Sequence, residues 1–196
     1  ISKYPIAVVE DSTEALGSTY KGRSAGRFSP LGCFSFNGNK IISTGGGGVI
    51  VTDDEQLAKH AKHLTTTAKA SPDEYFHDEV GYNYRLVNVL AAIGVGQMEL
   101  LPSFIKRKKE CVAYYKASLQ GVADISFQQE LPEVETNGWL FTIRTEKQKQ
   151  LLDHLNANKI MSRRFWMPMN KLPMYSHCLF VQHSDESDKI YNTCLS

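Results

Sequence analysis

Between Cys33 and Gly48 the chain reads CFSFNGNKIISTGGGG, and its capacity for chemistry is concentrated there. The apolar run of Cys33, Phe34 and Phe36 delivers Ser35, then Lys40, then Ile41, Ile42 and the four glycines Gly45 to Gly48. A long, solvated ammonium gains nothing from Phe and Ile neighbours. Enclosure of such a lysine favours its neutral amine, a nucleophile fit to form a Schiff base with an aldehyde. The alternative reading is a surface lysine in a βα loop. A second group lies upstream. Ile6-Ala7-Val8-Val9 has the pattern of a parallel strand covered on both faces, ended by Glu10 and Asp11. Ligand groups gather at the carboxyl ends of strands in open α/β sheets, so Asp11 is where a functional acid is expected; the alternative is a turn or capping aspartate.

The four glycines form neither a phosphate loop of the Gly-Lys-Ser/Thr type nor a GxGxxG turn into a helix. A strand, Val49 to Thr52, follows them. Their use is a sharp turn with positive φ, or the close approach of another group.

These residues need elements to hold them. Asp53 or Asp54 is expected to cap a helix carrying Leu57, Ala58, Ala61 and Leu64, and residues 65–78 are polar and irregular around Pro72. Ser12 to Leu16 suits one helical turn, and Tyr20-Lys21-Gly22-Arg23 a hairpin. After Gly81-Tyr82-Asn83-Tyr84-Arg85 comes an apolar helix with Leu86, Val89, Leu90, Ile93 and Gln97 on one face. Small Ala91, Ala92, Gly94 and Gly96 fit close packing. Pro102 is expected to mark a boundary. Beyond it, a helix, a strand at Trp139–Ile143, a helix at Lys147–Asn158 and a strand at Ile160–Met167 suggest a smaller α+β unit. The expected domains are 1–101 and 102–196.

Composition removes several classes of function. With 42% hydrophobic and 22% charged residues among 196, the chain is ordinary globular protein. A net charge of +1 leaves no basic excess to neutralise phosphates, which argues against nucleic acid as the main partner. Cys33, Cys111, Cys178 and Cys194 are widely spread and read as thiols of a reducing compartment. The six histidines show no paired ligand spacing, so no metal is expected. With no run of 18 apolar residues and no signal peptide, a soluble cytoplasmic protein is expected. Both ends read as cut from a longer chain.

The stretches VVEDSTEALGSTYKGRSAG, FSFNGNKIISTGGGGVIVTDD and GYNYRLVNVLAAIGVGQ, in this order and spacing, strongly resemble the DegT/StrS family of nucleotide-sugar aminotransferases. The resemblance implies an α/β fold: part of a pyridoxal-phosphate-dependent transferase of fold type I, aspartate-aminotransferase-like. The large domain would be followed by a smaller C-terminal α+β domain, with both ends truncated. It implies pyridoxal 5'-phosphate as cofactor, a nucleotide sugar and an amino-acid donor as substrates, and a homodimer with shared active sites. By the same resemblance Lys40 forms the Schiff base and shuttles a proton, Asp11 pairs with the pyridinium nitrogen and Ser35 donates to the cofactor phosphate. Asn83 reaches the neighbouring subunit's cofactor, Glu14 sits beside the ring, and Arg85 is a substrate contact or a structural ion pair.

Departures from the family pattern refine this. Four glycines stand where Gly-Glu-Gly-Gly is usual, and Asn37-Gly38-Asn39 precedes the lysine. Both variants, with the Arg163–Pro168 loop, resemble the branch acting on UDP-linked 4-keto-6-deoxy-N-acetylhexosamines. The expected reaction is transamination of a 4-keto-6-deoxy nucleotide sugar, with glutamate as donor, for surface glycan precursors. Two alternatives stand beside it: a catalytically incomplete dimerisation or binding module, and a sugar dehydratase. Retention of Lys40 disfavours the dehydratase.

Overall fold

The structure is a computed structural model and describes residues 3–196. In chain order its strands are β1 (Val9–Asp11), β2 (Thr19–Tyr20), β3 (Arg23–Ser24), β4 (Leu31–Ser35), β5 (Gly48–Val51), β6 (Ser126–Phe127), β7 (Val134–Glu135), β8 (Ile143–Arg144) and β9 (Cys194–Leu195). The helices are α1 (Glu55–Thr65), α2 (Asn88–Leu119), α3 (Gln148–Ala157) and α4 (Glu186–Thr193). The chain forms two compact units: Ile1–Lys109 with Leu131–Trp139, and Glu110–Glu130 with Leu140–Ser196.

The first unit is built on the sheet β1-β4-β5. Strand β1 runs parallel to β4, with Val9 opposite Leu31 and Asp11 opposite Cys33. β4 runs antiparallel to β5, with Ser35 opposite Gly48. The first strand lies later than expected: Glu10 and Asp11 belong to it instead of ending it. Within this chain Ile6 and Val9 are exposed. A second sheet, β3-β2-β7, begins with the expected hairpin. Lys21 and Gly22 take φ of 52° and 70°, the paired left-handed conformation that matches the twist of two-residue hairpins. Ser12 to Leu16 forms successive turns closed by Ala15 N–H to Ser12 O (2.9 Å) and Ser18 N–H to Ala15 O (2.8 Å).

Asp54 caps α1, accepting the N–H groups of Gln56 (2.8 Å) and Leu57 (3.0 Å). Pro102, expected as a boundary, lies inside α2 instead. The face of α2 that meets the first unit also differs from the expected stripe. Gly94 is buried, and a Cβ there would sit 3.1 Å from Thr44 Cγ2. Gln97 Oε1 accepts Ser43 N–H, whereas Val89 and Ile93 are exposed. The contact follows the small residue, because a Cβ at Gly94 would crowd the Thr44 methyl. An 18-residue window of α2 has a mean hydropathy of 1.3, so by length and composition the helix is apolar enough to cross a membrane. Gln97 and Glu99 interrupt its apolar run.

The second unit is organised on the antiparallel sheet β6-β8-β9, whose Ile143, Cys194 and Leu195 are buried. Buried Gln148, at the start of α3, donates to the carbonyls of Tyr191 (2.8 Å) and Cys194. Two expected strands shorten or vanish. Of the 139–143 run only Ile143 is strand, paired on with Arg144, and the Asn137 side chain takes the Trp139 N–H. In the 160–167 run only a bridge between Arg164 and Leu195 forms. There the Asn156 side chain captures both the N–H and the carbonyl of Ser162.

Candidate functional site

The parallel pairing of β1 with β4 brings the carboxyl ends of both strands to one edge of the sheet. Asp11 ends β1 and Ser35 ends β4. Beyond Ser35 the chain makes a loop that closes on itself. Phe36 N–H donates to Gly47 O (2.9 Å), Thr44 N–H to Phe36 O (3.0 Å) and Lys40 N–H to Asn37 O (3.0 Å). Ile42, 1% exposed, is the plug that seats the loop, with Thr44 buried beside it. Gly45 and Gly47 take φ of 84° and 87°, and a Cβ on Gly47 would fall 2.6 Å from Leu86 Cδ1. Both uses expected of the glycine run, left-handed backbone and close approach, are therefore present.

Lys40 projects from this seated loop with its side chain 12% exposed. Its surroundings differ from the isolated amine among Phe and Ile that the sequence suggested. Nζ lies 3.0 Å from Glu14 Oε1 and 4.6 Å from the centre of the Trp139 ring. The pairing follows from topology: the loop after β1 and the loop after β4 emerge at the same edge. Asp11 lies close enough to feel the lysine. The Thr13 hydroxyl and N–H (3.1 Å to Oδ1), reinforced by the Lys40 charge, hold its carboxyl below the usual aspartate range. Ser35 Oγ accepts Asn37 N–H at 3.2 Å, which leaves the hydroxyl proton to donate. Lys40, Glu14, Asp11 and Ser35 thus gather at one sheet edge as amine, two carboxylates and hydroxyl.

Asn83 and Arg85 lie apart from this group. Residues 82–84 pair with the end of α1 through Tyr82 N–H to Leu64 O (2.7 Å) and Tyr84 N–H to Thr65 O (3.0 Å). Gly81 lets them in, since a Cβ there would lie 2.3 Å from the Ala68 nitrogen. Both side chains are exposed, and among the described residues no hydrogen bond or ion pair links either to Asp11, Glu14, Ser35 or Lys40. Arg85 instead borders an open groove of about 780 Å³ with Cys33, Ile50, Ala61 and Tyr84. Thr52, Lys62, Thr65 and Thr66 also line that groove, and none of Asp11, Glu14, Ser35 and Lys40 does.

Two neighbours of the site carry no signal in the sequence. Asn137, 4% exposed, donates from Nδ2 to the carbonyls of Glu14 (2.8 Å) and Leu16 (3.0 Å) and accepts Trp139 N–H on Oδ1 (2.9 Å). Trp139 Nε1–H donates to Asn39 O at 2.6 Å. These contacts join residues about a hundred positions apart, beyond the reach of any local pattern. Glu10 is a third anchor. Burial works against its charge, but the N–H groups of Gly26 and Phe28, the Ser12 hydroxyl and the Arg23 charge together push it below the usual glutamate range. Elsewhere His63, Asp78 and Glu79 bring ligand atoms within 4.8 Å of one another, a cluster that helix-to-loop folding creates and histidine spacing did not announce.

Residues 1–196 match the DegT/DnrJ/EryC1/StrS aminotransferase family. GDP-perosamine synthase of Escherichia coli O157:H7 is 39% identical over 172 residues, covering 86% of this chain and 47% of that protein. GDP-4-keto-6-deoxy-D-mannose 3-dehydratase of Escherichia coli O55:H7 is 29% identical over 178 residues, 81% of this chain and 46% of that one. Among solved structures, S. venezuelae DesV in complex with a ketimine intermediate superposes with a TM-score of 0.88 at 29% identity, over 99% of this chain and 53% of DesV. The chain spans about half the length of the curated relatives it matches. The mixed α/β architecture agrees with the fold that the resemblance implied, part of a fold type I transferase. A family match along the whole sequence, with that superposition, establishes that the chain belongs to the DegT/DnrJ/EryC1/StrS aminotransferase family.

Proposed function

We propose that the protein carrying this chain is a pyridoxal-phosphate-dependent aminotransferase of nucleotide sugars. It moves an amino group from an amino acid, glutamate by preference, to the 4-keto carbon of a 6-deoxy sugar. The observation that carries this reading is the grouping of Lys40 with Glu14 and Asp11 where β1 and β4 end. The donor set suits the cofactor: an amine for its aldehyde, an anionic carboxylate for its ring nitrogen and a hydroxyl for its phosphate. When bound, pyridoxal phosphate supplies a conjugated electron sink for charge developing at the reacting carbon.

Each residue then has a defined task. With the cofactor bound, Lys40 would hold its aldehyde carbon by condensation with loss of water, and as a free amine it would take and return a proton at the substrate carbon. Glu14 Oε1, 3.0 Å from Nζ, is placed to accept that nitrogen's hydrogen and to fix its direction. Asp11, anionic at neutral pH and held below the usual aspartate range by the Thr13 hydroxyl, would favour a protonated ring nitrogen. Ser35 donates its hydroxyl to the phosphate. Asn83, exposed and away from Lys40, suits a contact to the cofactor of a second copy in a homodimer, and Arg85 suits a substrate anion. Such an enzyme would serve surface-glycan precursor synthesis in the cytoplasm. Retention of Lys40 favours amino transfer over dehydration.

The test uses the intact protein. With pyridoxal phosphate and glutamate it should convert a UDP-linked 4-keto-6-deoxy-N-acetylhexosamine to the 4-amino sugar, read by mass spectrometry. Borohydride should fix the cofactor on the peptide containing Lys40. Cofactor fixed on another lysine, or undiminished turnover by Lys40→Ala, refutes the assignment.

A further inference from the structure

We propose that Trp139 is a positioning residue for Lys40, and that Asn137 holds it in place. The inference rests on the reading of Lys40 given above. Trp139 acts at both ends of the lysine. Its indole N–H binds the carbonyl of Asn39 at 2.6 Å, which pins the main chain one residue before Lys40. Its ring lies 4.6 Å from Nζ, within range of a cation–π contact. Nζ therefore has the Glu14 carboxylate as one neighbour and an aromatic face as another.

Glu14 alone cannot do this work. Its side chain is 42% exposed, and an ion pair open to water on one side holds a four-carbon stem weakly. An aromatic wall restricts the rotamers of the stem whatever the ionic strength. Trp139 is itself fixed, because buried Asn137 accepts its N–H at 2.9 Å while donating to the carbonyls of Glu14 and Leu16. Asn137 N–H in turn binds Ser18 Oγ at 3.0 Å. One short segment thereby sets the loop carrying Glu14 and the loop carrying Lys40 against each other. A nucleophile gains rate from such pre-set direction, and a displacement of about 1 Å is enough to lose it.

Two aldehydes of different size separate positioning from mere packing. In the intact apoprotein, formaldehyde with cyanoborohydride reports access to each lysine. Pyridoxal phosphate with a borohydride quench reports productive capture at Lys40, and both are read by peptide mass. Trp139→Ala should raise methylation of Lys40 roughly fivefold to seventyfold and slow cofactor capture by a similar factor, the size expected for one cation–π contact with its hydrogen bond. Trp139→Phe keeps the aromatic face and should fall between the two. It also serves as the test should the alanine variant fail to fold. Lys40 rates unchanged in both variants, or a matching rise in methylation at Lys59 and Lys149, would overturn the positioning role. A wild-type protein that shields Lys40 from formaldehyde yet captures no cofactor there overturns the functional reading, and this inference with it. Capture at Lys40 that ignores Trp139 overturns this inference alone.

Discussion

Replacing Asn137 by alanine removes three side-chain hydrogen bonds at a position only 4% exposed. The carbonyls of Glu14 and Leu16 lose their donor, and the N–H of Trp139 loses its acceptor. At about 0.5–1.5 kcal/mol net for each bond, the expected loss is roughly 2–4 kcal/mol. With a urea dependence of about 2 kcal/mol per molar, the unfolding midpoint should fall by about 1–2 M, measured by circular dichroism. Asn137→Asp sharpens the test. Its carboxylate still accepts from Trp139 but faces two carbonyl oxygens, so at pH 7 it should be no more stable than the alanine variant. Ile50→Ala, at a residue 47% exposed, is the comparison and should cost well under half as much. An alanine variant within about 1 kcal/mol of wild type, or an aspartate variant as stable as wild type, would refute the claim that Asn137 ties the site loops together.

Gly47→Ala meets both a left-handed backbone, φ 87°, and Leu86 Cδ1 at 2.6 Å, so it should cost about 1–3 kcal/mol in thermal unfolding. Adding Leu86→Ala should relieve the steric clash and leave the backbone strain. Glu10 titrates below its ordinary value of 4.5 in the folded chain, so it contributes stability above that pH and loses it as pH falls through the folded value. Glu10→Gln should therefore lower stability at pH 7 and flatten the acid limb of a stability-against-pH curve below about 4.5. An unchanged acid limb would contradict the role given to the Gly26 and Phe28 N–H groups.

What the sequence disclosed was local, and the limits of that reading are physical. Lys40, Ser35 and the glycines lie within one turn-and-strand stretch whose hydrogen bonds close within about a dozen residues, so order and spacing carry their geometry. Asp54 and the Lys21–Gly22 hairpin were legible for the same reason. The pairing of Glu14 with Lys40 was not, because it depends on β1 lying parallel to β4, a choice made by the sheet. Strand lengths failed where side chains compete for backbone groups, as Asn137 does for Trp139 and Asn156 for Ser162. The buried face of α2 failed because the stripe of Val89 and Ile93 outweighs in hydropathy the single glycine that makes contact.

This pattern also tells which forces hold the site. Among the described residues the buried apolar side chains of the first unit are Ile42 and Ala68, whereas Val9, Val49, Ile50, Val89 and Ile93 are exposed. In this chain, which spans about half the length of its relatives, those few buried apolar side chains are not the contacts that join the segments around Lys40. Hydrogen bonds to partly buried backbone do the ordering here: Glu10 on Gly26 and Phe28, Asn137 on Glu14 and Leu16, Trp139 on Asn39. Unlike apolar contact, each such bond fixes direction as well as distance, and an unmatched partner is costly. A nucleophilic amine needs direction above all. On the proposed reading of Lys40 as that amine, a polar scaffold around it suits the task, and Asn137 and Trp139 supply it at an edge where sequence pattern offered no reason to look.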